Sequence, residues 1–251
     1  MAAYDVADRS AIVTGGASGI GRAAARLLAA NGASVLVTDI NAQLLDTVVD
    51  EIIAAGGTAA GLVGDVTDPE HAIEAVRKAS ELAPLGIAIN NAGIGGSLAI
   101  AAEYPAQTWN EVLAVNVTGV MNGMRAQLPA LVANGGGAIV NTASIGSSIG
   151  TPMASAYITS KHAVLGLTRA SALDYATQGV RVNAVGPGFI LTPFVVANMD
   201  ADALRYTESK HPIGRLGNAD EVAAVIAFLA SDAASFVTGS YYPVDGGYLA
   251  Q

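Results

Sequence analysis

Apolar and polar positions alternate along the chain in two ways. Short runs rich in Val, Ile and Ala are apolar at consecutive positions, which is typical of strands buried on both faces of a sheet. Longer segments between these runs repeat apolar residues at helical spacing. We predict strands near residues 11–14, 34–38, 59–63, 87–90, 138–142, 181–185 and 240–244. We predict helices near residues 19–30, 42–55, 69–82, 107–133, 155–177 and 219–230.

The regular alternation of strands and helices predicts an α/β fold of the Rossmann type. In such a fold a doubly wound parallel sheet, here of about seven strands, carries helices on both faces. No linker, repeat or charge block divides the sequence, so we expect a single domain over residues 1–251. The longest irregular stretch, residues 186–215, is expected to form a mobile cover over the substrate.

A glycine-rich segment, TGGASGIG at residues 14–21, follows the first predicted strand and opens the first predicted helix. A pyrophosphate needs close approach of the backbone and unpaired N–H groups, and glycines at a helix N-terminus supply both. A tight turn without a ligand is the alternative, but the position after the first strand favours a dinucleotide site. The residues expected to bind the cofactor here are Gly15, Ser18, Gly19, Ile20 and Gly21.

Asp39 ends the second predicted strand, at a distance from the glycines that is typical of an acid that binds the adenosine ribose. Its carboxylate would repel the 2′-phosphate of NADP, and no Lys or Arg stands at Ala17 or Ile40 to neutralise that phosphate. The alternative is that Asp39 caps the following helix. We predict NAD as the cofactor, with Asp39 and Ile40 beside its ribose.

Tyr157 and Lys161 lie near the start of a predicted helix. Residues four apart share a helix face, so the phenol and the ammonium group point into the same space. One unit charge about 4 Å away, at an effective dielectric constant near 20, is worth ~4 kcal/mol. That corresponds to a lowering of the phenol pKa from about 10 by roughly 3. Lys161 is therefore predicted to activate Tyr157 as an acid–base residue, although the same spacing also occurs on ordinary amphipathic helices.

With these motifs the chain resembles the short-chain dehydrogenase/reductase family, in its compact single-domain branch, over essentially its whole length. The glycine segment matches the family pattern Thr-Gly-x-x-x-Gly-x-Gly, and NNAG at residues 90–93 matches a second signature. The resemblance implies that further residues contact the adenine, the cofactor backbone and the nicotinamide carboxamide. These residues are Asp65, Val66, Asn91, Ala92, Gly93, Pro187, Gly188, Ile190 and Thr192, with Tyr157 and Lys161 also touching the cofactor.

The resemblance also implies a catalytic set of four residues, Asn116, Ser144, Tyr157 and Lys161. Ser144 precedes Tyr157 at the spacing of the family and is expected to hold the substrate oxygen. Asn116 lies inside a long predicted helix, where asparagine is locally unfavourable. A packing hydrogen bond would explain it, but the resemblance makes it a relay residue that orders water between Lys161 and solvent. The implied reaction is hydride transfer between a nicotinamide and a carbinol or carbonyl carbon.

The substrate pocket is expected to be apolar. Its candidate residues are Gly95, Ile145, Met153, Phe189, Phe194 and Met199. Such a lining favours a hydrophobic secondary alcohol or ketone, aromatic or alicyclic. A 3-oxoacyl-carrier-protein reductase is a second interpretation, and an NAD-binding sensor or scaffold without turnover is a third.

Composition narrows the function further. Charged residues make up only 13% of the chain and the formal net charge is −9. The twelve Lys and Arg form no basic run, which argues against partners such as nucleic acid or an anionic membrane surface. With no cysteine and three scattered histidines, no metal site is expected. No signal peptide or membrane span is predicted, so we expect a cytoplasmic protein, and the resemblance implies a homotetramer.

Overall fold

A parallel sheet of seven strands organises the computed structural model, which describes residues 4–198 and 200–251. The spatial order of the strands is β3-β2-β1-β4-β5-β6-β9, all parallel. The two short strands β7 and β8 pair separately. The strands are β1 (Ser10–Thr14), β2 (Ser34–Asp39), β3 (Thr58–Val63), β4 (Leu85–Asn90), β5 (Gly137–Thr142), β6 (Val180–Pro187), β7 (Ile190–Leu191), β8 (Gly217–Asn218) and β9 (Tyr241–Val244).

Helices cover both faces of this sheet. They are α1 (Gly19–Ala30), α2 (Ala42–Ala54), α3 (Pro69–Leu82), α4 (Ala106–Leu113), α5 (Gly119–Ala133), α6 (Ser155–Tyr175), α7 (Pro193–Asn198), α8 (Ala201–Ser209) and α9 (Ala219–Ala230). Apolar residues of α1, α2 and α9 form one buried cluster, and those of α3, α5 and α6 form another. The predicted doubly wound α/β fold is confirmed.

Consecutive residues of β1 show why the strands are apolar at every position. Ala11 and Val13 belong to the buried cluster that includes α1 and α9, whereas Ile12 belongs to the opposite cluster. Successive side chains of a strand point to opposite faces, so a sheet covered on both sides needs an apolar residue at each step. The seven predicted strands, and the predicted helices other than 107–133, agree with the observed bounds to within two residues.

The predicted helix 107–133 is not continuous. A π-helical segment, Ala114–Thr118, separates α4 from α5, and Asn116 lies buried at its centre. Local bulges of this kind frequently occur at functional sites. Periodicity did not reveal the break, because the π segment depends on what Asn116 contacts in the folded protein.

The covering segment is also more regular than predicted. Residues 186–215 contain the end of β6, the strand β7 and the helices α7 and α8. Asp200 caps α8 by accepting a hydrogen bond from the backbone N–H of Ala203 at 2.8 Å. Pairing of β7 with β8, Ile190 opposite Gly217, anchors the segment beside the start of α9. The predicted irregularity of this segment is therefore wrong, because short helices of this size carry little periodic signal. Its role as a cover over the substrate stays a prediction.

Buried amide side chains join the strands to the helices behind the site. Asn90 Nδ2 donates to Asn141 Oδ1 at 3.0 Å, and Gln127 Nε2 donates to Asn90 Oδ1 at 3.0 Å. Asn141 Nδ2 in turn donates to Thr168 Oγ1 at 3.0 Å. These bonds connect β4 and β5 to α5 and α6. A buried layer of polar side chains, hydrogen-bonded to one another, therefore lies below the carboxyl ends of the strands.

Across residues 4–198 and 200–251, no helix combines the length and the apolar character that crossing a lipid bilayer requires.

Candidate active site

The glycine-rich turn joins β1 to α1. Gly15 has φ +61° and Gly19 has φ +50°, both in the left-handed region that glycine adopts at low cost. A Cβ on Gly15 would lie 2.8 Å from the Cα of Ala92, so the turn is packed directly on the loop after β4. Ser18 makes no side-chain capping bond at the start of α1 in the described structure, and no acidic residue stands in the first turn. The helix N-terminus thus presents backbone amides suited to an anion.

Asn91 ties the glycine turn to β4. Its backbone N–H donates to Thr14 Oγ1 at 2.9 Å, and its Nδ2 donates to the carbonyls of Thr14 and Gly15, both at 3.1 Å. The N–H of Ala92 also donates to Thr14 Oγ1, at 3.1 Å. The two loops expected to bind the dinucleotide are therefore a single hydrogen-bonded unit.

The carboxylate of Asp39 lies at this turn. Its Oδ2 accepts from the N–H of Ala17 at 3.1 Å, and its Oδ1 accepts from the N–H of Asn41 at 3.0 Å. The cap of α2 is Asn41, whose side chain accepts from the N–H of Leu44 at 3.0 Å. Asp39 is thus not the helix cap, and a negative charge is fixed beside the glycine turn. Ile40 follows it with 74% of its surface exposed.

The loop after β3 carries the predicted adenine residues Asp65 and Val66. Asp65 Oδ1 accepts from the N–H of Thr67 at 2.9 Å, which shapes the turn. Asn122 of α5 holds the loop in place, because its Nδ2 donates to the carbonyls of Val66 and Thr67, both at 3.1 Å. Sequence reasoning missed Asn122, although an asparagine inside a helix is the same signal that marked Asn116.

Asn116 connects the π segment to the loop after β4 and to α6. Its Oδ1 accepts from the N–H of Ile94 at 2.8 Å, and its Nδ2 donates to the carbonyl of Ile94 at 2.9 Å. The same Nδ2 donates to Ser160 Oγ at 3.0 Å, and Ser160 Oγ donates to the carbonyl of Tyr157 at 2.7 Å. Asn116 therefore positions the helix that bears Tyr157. Its expected role in a water relay stays a prediction.

Tyr157 and Lys161 lie on the first turns of α6, side by side. The Nζ of Lys161 is 5.6 Å from the centre of the Tyr157 ring and donates to the carbonyl of Thr142, the last residue of β5, at 2.8 Å. A Cβ on Gly93 would lie 3.6 Å from this Nζ and 3.2 Å from Asn116 Oδ1. Two of the four predicted catalytic residues, Asn116 and Lys161, therefore lie against Gly93.

Burial changes the protonation of this pair. It lowers the pKa of Lys161 from 10.5 to about 8, because the charged ammonium group loses its hydration. It also raises the pKa of Tyr157, and the hydrogen bond from Ser144 opposes that rise only in part. The predicted lowering of the Tyr157 pKa by Lys161 is therefore wrong for the protein alone, because burial removes the hydration of the phenolate and this effect outweighs the others.

Ser144 completes the cluster at the end of β5. It is buried, and its Oγ accepts from the N–H of Gly146 at 3.1 Å at the start of the 3-10 turn Ile145–Ser147. Its side chain lies beside Tyr157, since a Cβ on Gly146 would lie 3.4 Å from Ser144 Oγ and 3.6 Å from the Cε1 of Tyr157. Two contacts were not predicted from the sequence. Ser147 Oγ donates to the carbonyl of Lys161 at 2.8 Å, and Tyr241 Oη donates to the carbonyl of Ser144 at 2.7 Å.

The segment after β6 approaches the glycine turn from the other side. A Cβ on Gly19 would lie 3.3 Å from the Cγ2 of Thr192, so this predicted cofactor residue faces the predicted phosphate site. Gly188 is held by its N–H, which donates to the carbonyl of Val244 at 3.0 Å. His211 Nε2 accepts from the N–H of Phe189 at 3.3 Å and fixes the segment from behind. Sequence reasoning gave His211 no role.

The predicted substrate residues differ in their exposure and in the residues that they contact. Met153 has φ +65° and is 47% exposed, and its carbonyl accepts from the N–H of Ala99 at 2.9 Å, which brings it to the loop after β4. Gly95 belongs to that same loop. Ile145 is 6% exposed and Phe189 packs on His211, and their expected contact with the substrate stays a prediction. Phe194 falls in α7, and Met199 lies outside the described residues.

The chain is similar to a protein family and to enzymes whose reactions are known. A family model described as Enoyl-(Acyl carrier protein) reductase matches residues 15–249. A cyclohexanol dehydrogenase from Acinetobacter sp. (strain SE19) is 47% identical over 245 residues, which are 97% of this chain and 96% of the relative. A galactitol 2-dehydrogenase (L-tagatose-forming) from Cereibacter sphaeroides is 45% identical over 241 residues, 95% of this chain and 94% of the relative.

Solved structures share the fold over the whole chain. Levodione reductase matches with a TM-score of 0.94 and 36% identity, covering 97% of this chain and 98% of that one. A putative NAD(P) dependent gluconate 5-dehydrogenase from Beutenbergia cavernae, with bound NADP at low occupancy, matches with a TM-score of 0.91 and 39% identity, covering 98% of each chain.

The fold and the site together define an oxidoreductase that uses a nicotinamide cofactor. The chain belongs to the short-chain dehydrogenase/reductase family.

The buried lysine makes protein stability depend on pH. Between pH 8 and 10.5 the unfolded chain keeps the proton of Lys161 while the folded protein has released it. Below this window the lysine is charged in both states, and the folded state bears the cost of burying the charge. Above it both states are neutral and that cost is absent. The contribution of Lys161 to the free energy of unfolding therefore rises with pH through this window, by about 3 kcal/mol.

Lys161→Met tests this expectation, because methionine never carries the charge. The free energy of unfolding of the wild type minus that of the variant should increase between pH 7.5 and 10.5, as measured by urea denaturation. The exposed Lys210→Met is the control for the removal of a lysine ammonium group from the surface. A wild-type-minus-Lys161→Met difference that does not change with pH would show that the buried charge carries no such cost.

Proposed function

We propose that the protein interconverts a secondary alcohol and a ketone with NAD, and that Tyr157 is the acid–base residue. The observation that carries this proposal is the meeting of Ser144, Tyr157 and Lys161 at the carboxyl end of β5. The two hydroxyl side chains are neighbours around Gly146, so a single substrate oxygen can form hydrogen bonds with both. Ligands of open parallel sheets bind at this edge.

The chain's own residues divide the work. Ser144 holds the substrate oxygen, and Tyr157 accepts its proton during oxidation and returns it during reduction. Lys161 is fixed by Thr142, which leaves its remaining protons for the nicotinamide ribose. When bound, NAD supplies the hydride acceptor and a positive charge, which offsets the effect of burial on the Tyr157 phenol. The glycine turn, Asp39 and the loops after β3, β4 and β6 would hold it.

Asp39 supports NAD rather than NADP as the preferred cofactor. Its carboxylate accepts hydrogen bonds from the N–H groups of Ala17 and Asn41, and these bonds fix its position at the glycine turn. The next residue is Ile40, which offers no positive charge to a 2′-phosphate. A structural relative holds NADP at low occupancy, so the preference of this chain has to be measured.

Exposed apolar side chains support a cyclic, hydrophobic substrate. Ile94, Leu98 and Ile100 follow β4 and are 39%, 74% and 55% exposed, and Met153 is bonded to the same loop. The cyclohexanol dehydrogenase relative acts on an alicyclic alcohol by its name, and the galactitol 2-dehydrogenase on an open-chain polyol. The exposed apolar side chains after β4 favour an alicyclic alcohol as the substrate of this chain.

Two other functions are weaker candidates. A carrier-protein reductase would have to dock an acidic carrier, and residues 131–138 contain no basic side chain for this purpose. A sensor without turnover would not need Ser144, Tyr157 and Lys161 in one buried cluster. We also propose a single catalytic domain, because no linker, repeat or charge block divides the sequence, and a homotetramer, which the family resemblance implies. The cytoplasmic location stays a prediction.

A substrate panel tests the proposed class. Cyclohexanol, an aromatic secondary alcohol, galactitol and gluconate should be compared with NAD by following NADH absorbance. We expect the cyclic and aromatic alcohols to have a kcat/KM at least about tenfold above that of the polar compounds. Only these alcohols can bury apolar surface against the exposed side chains of Ile94, Leu98 and Ile100. Faster turnover of galactitol or gluconate would reverse the assignment of substrate class.

Tyr157→Phe removes the proton carrier while keeping the ring. We expect turnover to fall by about 10³-fold or more, whereas the dissociation constant for NAD should change by less than about threefold. Tyr175→Phe, on the same helix but outside the site, is the matched control and should behave like the wild type. Near-normal turnover by the Tyr157→Phe protein would remove Tyr157 from the mechanism.

Asp39→Ala should relax cofactor choice. Loss of the carboxylate removes the repulsion of the 2′-phosphate and the bond to the ribose, so the ratio of kcat/KM for NAD to that for NADP should fall at least about tenfold. Asp46→Ala, an exposed carboxylate on α2, is the control for a general change in charge. An unchanged ratio in Asp39→Ala would mean that other residues determine the preference.

A further inference from the structure

A second tyrosine, Tyr241, reaches the catalytic cluster from the far edge of the sheet. It lies on β9, which pairs with β6 and not with β5. Its ring nevertheless crosses β6, and its Oη donates to the backbone carbonyl of Ser144 at 2.7 Å. The two residues are separated by 97 positions in the chain, so only the folded sheet brings them together.

The strand between them is shaped for this crossing. A Cβ on Gly186 of β6 would lie 2.2 Å from the Tyr241 Oη and 2.3 Å from the ring carbon that bears it. Any larger residue at this position would therefore displace the phenol. Gly186 has no positive φ, so the requirement here is for space and not for backbone freedom.

The contact acts on the residue that starts the catalytic turn. The carbonyl of Ser144 accepts from the N–H of Ser147 at 2.8 Å and from Tyr241 Oη, so both of its acceptor positions are used. Meanwhile Ser144 Oγ accepts from the N–H of Gly146. Burial raises the pKa of Tyr241, which keeps its hydroxyl protonated and able to donate.

We propose that Tyr241 is a positioning residue for the reaction: by fixing the peptide plane of Ser144 through its phenol hydroxyl, it keeps the Ser144 side chain directed at the substrate oxygen. This inference rests on the proposed role of Ser144. A shift of the serine by a fraction of an ångström would lengthen its bond to the substrate oxygen, and misplacement of about 1 Å can lower a rate by about 100-fold.

Loss of the hydroxyl alone should leave the fold in place. The strand β9 is held to β6 by backbone pairing from Tyr241 to Val244, and the phenyl ring of Tyr241→Phe would still fill the space above Gly186. The neighbouring Tyr242 provides a matched control. Its ring packs on Phe228 of α9 at 6.5 Å between centroids, on the opposite side of the sheet from the catalytic cluster.

The experiment is a double-mutant cycle. The kcat, the KM for the alcohol and the dissociation constant for NAD are measured for the wild type, Tyr241→Phe, Ser144→Ala and the double variant, with Tyr242→Phe as control. In the wild-type background we expect Tyr241→Phe to lower kcat about tenfold, with NAD binding and the melting temperature unchanged. In the Ser144→Ala background the same change should have an effect of less than about twofold, because no serine hydroxyl remains to be positioned.

Three results would overturn the proposal: an unchanged kcat in Tyr241→Phe, an equal loss in both backgrounds, or an equal loss in Tyr242→Phe. A loss in both backgrounds would indicate a general structural role. Failure of the proposed role of Ser144 can be distinguished from failure of the proposal for Tyr241, since Ser144→Ala would then keep the wild-type kcat.

Discussion

Parallel pairing of β1, β4 and β5 is the constraint on which the rest of the molecule depends. Because these strands run in the same direction, their carboxyl ends meet at one edge, and the loops that follow them lie side by side. Thr14, Asn91 and Thr142 stand at these three ends and are linked by hydrogen bonds. Reversing any one strand would send its loop to the opposite edge, and the site would have no common centre.

Burial shifts the pKa values of Tyr157 and Lys161 in opposite directions at this edge of the sheet. Burial raises the pKa of Tyr157 and lowers that of Lys161, so each group favours its neutral form. The protein supports the pair with fixed dipoles instead of further charges, namely the Thr142 carbonyl for Lys161 and the Ser144 hydroxyl for Tyr157. Proton transfer in such a site depends on geometry, which explains the number of residues that only hold others in place.

Those supporting residues come from distant parts of the chain. Asn116 holds α6 through Ser160, Asn122 holds the loop after β3, and Tyr241 crosses β6 to reach Ser144. The segment after β6 is supported in the same way by His211. Each of these contacts uses a polar side chain that has a hydrogen-bond partner within the protein.

The sequence by itself determined the layered α/β fold, the order of its elements and the identity of the glycine turn, Asp39 and the Tyr157–Lys161 pair. Those features depend on local patterns, namely the periodicity of burial and short motifs whose spacing is set by one turn or one helix. Only the tertiary structure decided the π segment at Asn116, the helices of the covering segment, the raised pKa of Tyr157 and the reach of Tyr241. These depend on burial and on contacts between residues far apart in the chain, and neither leaves a periodic signal along it.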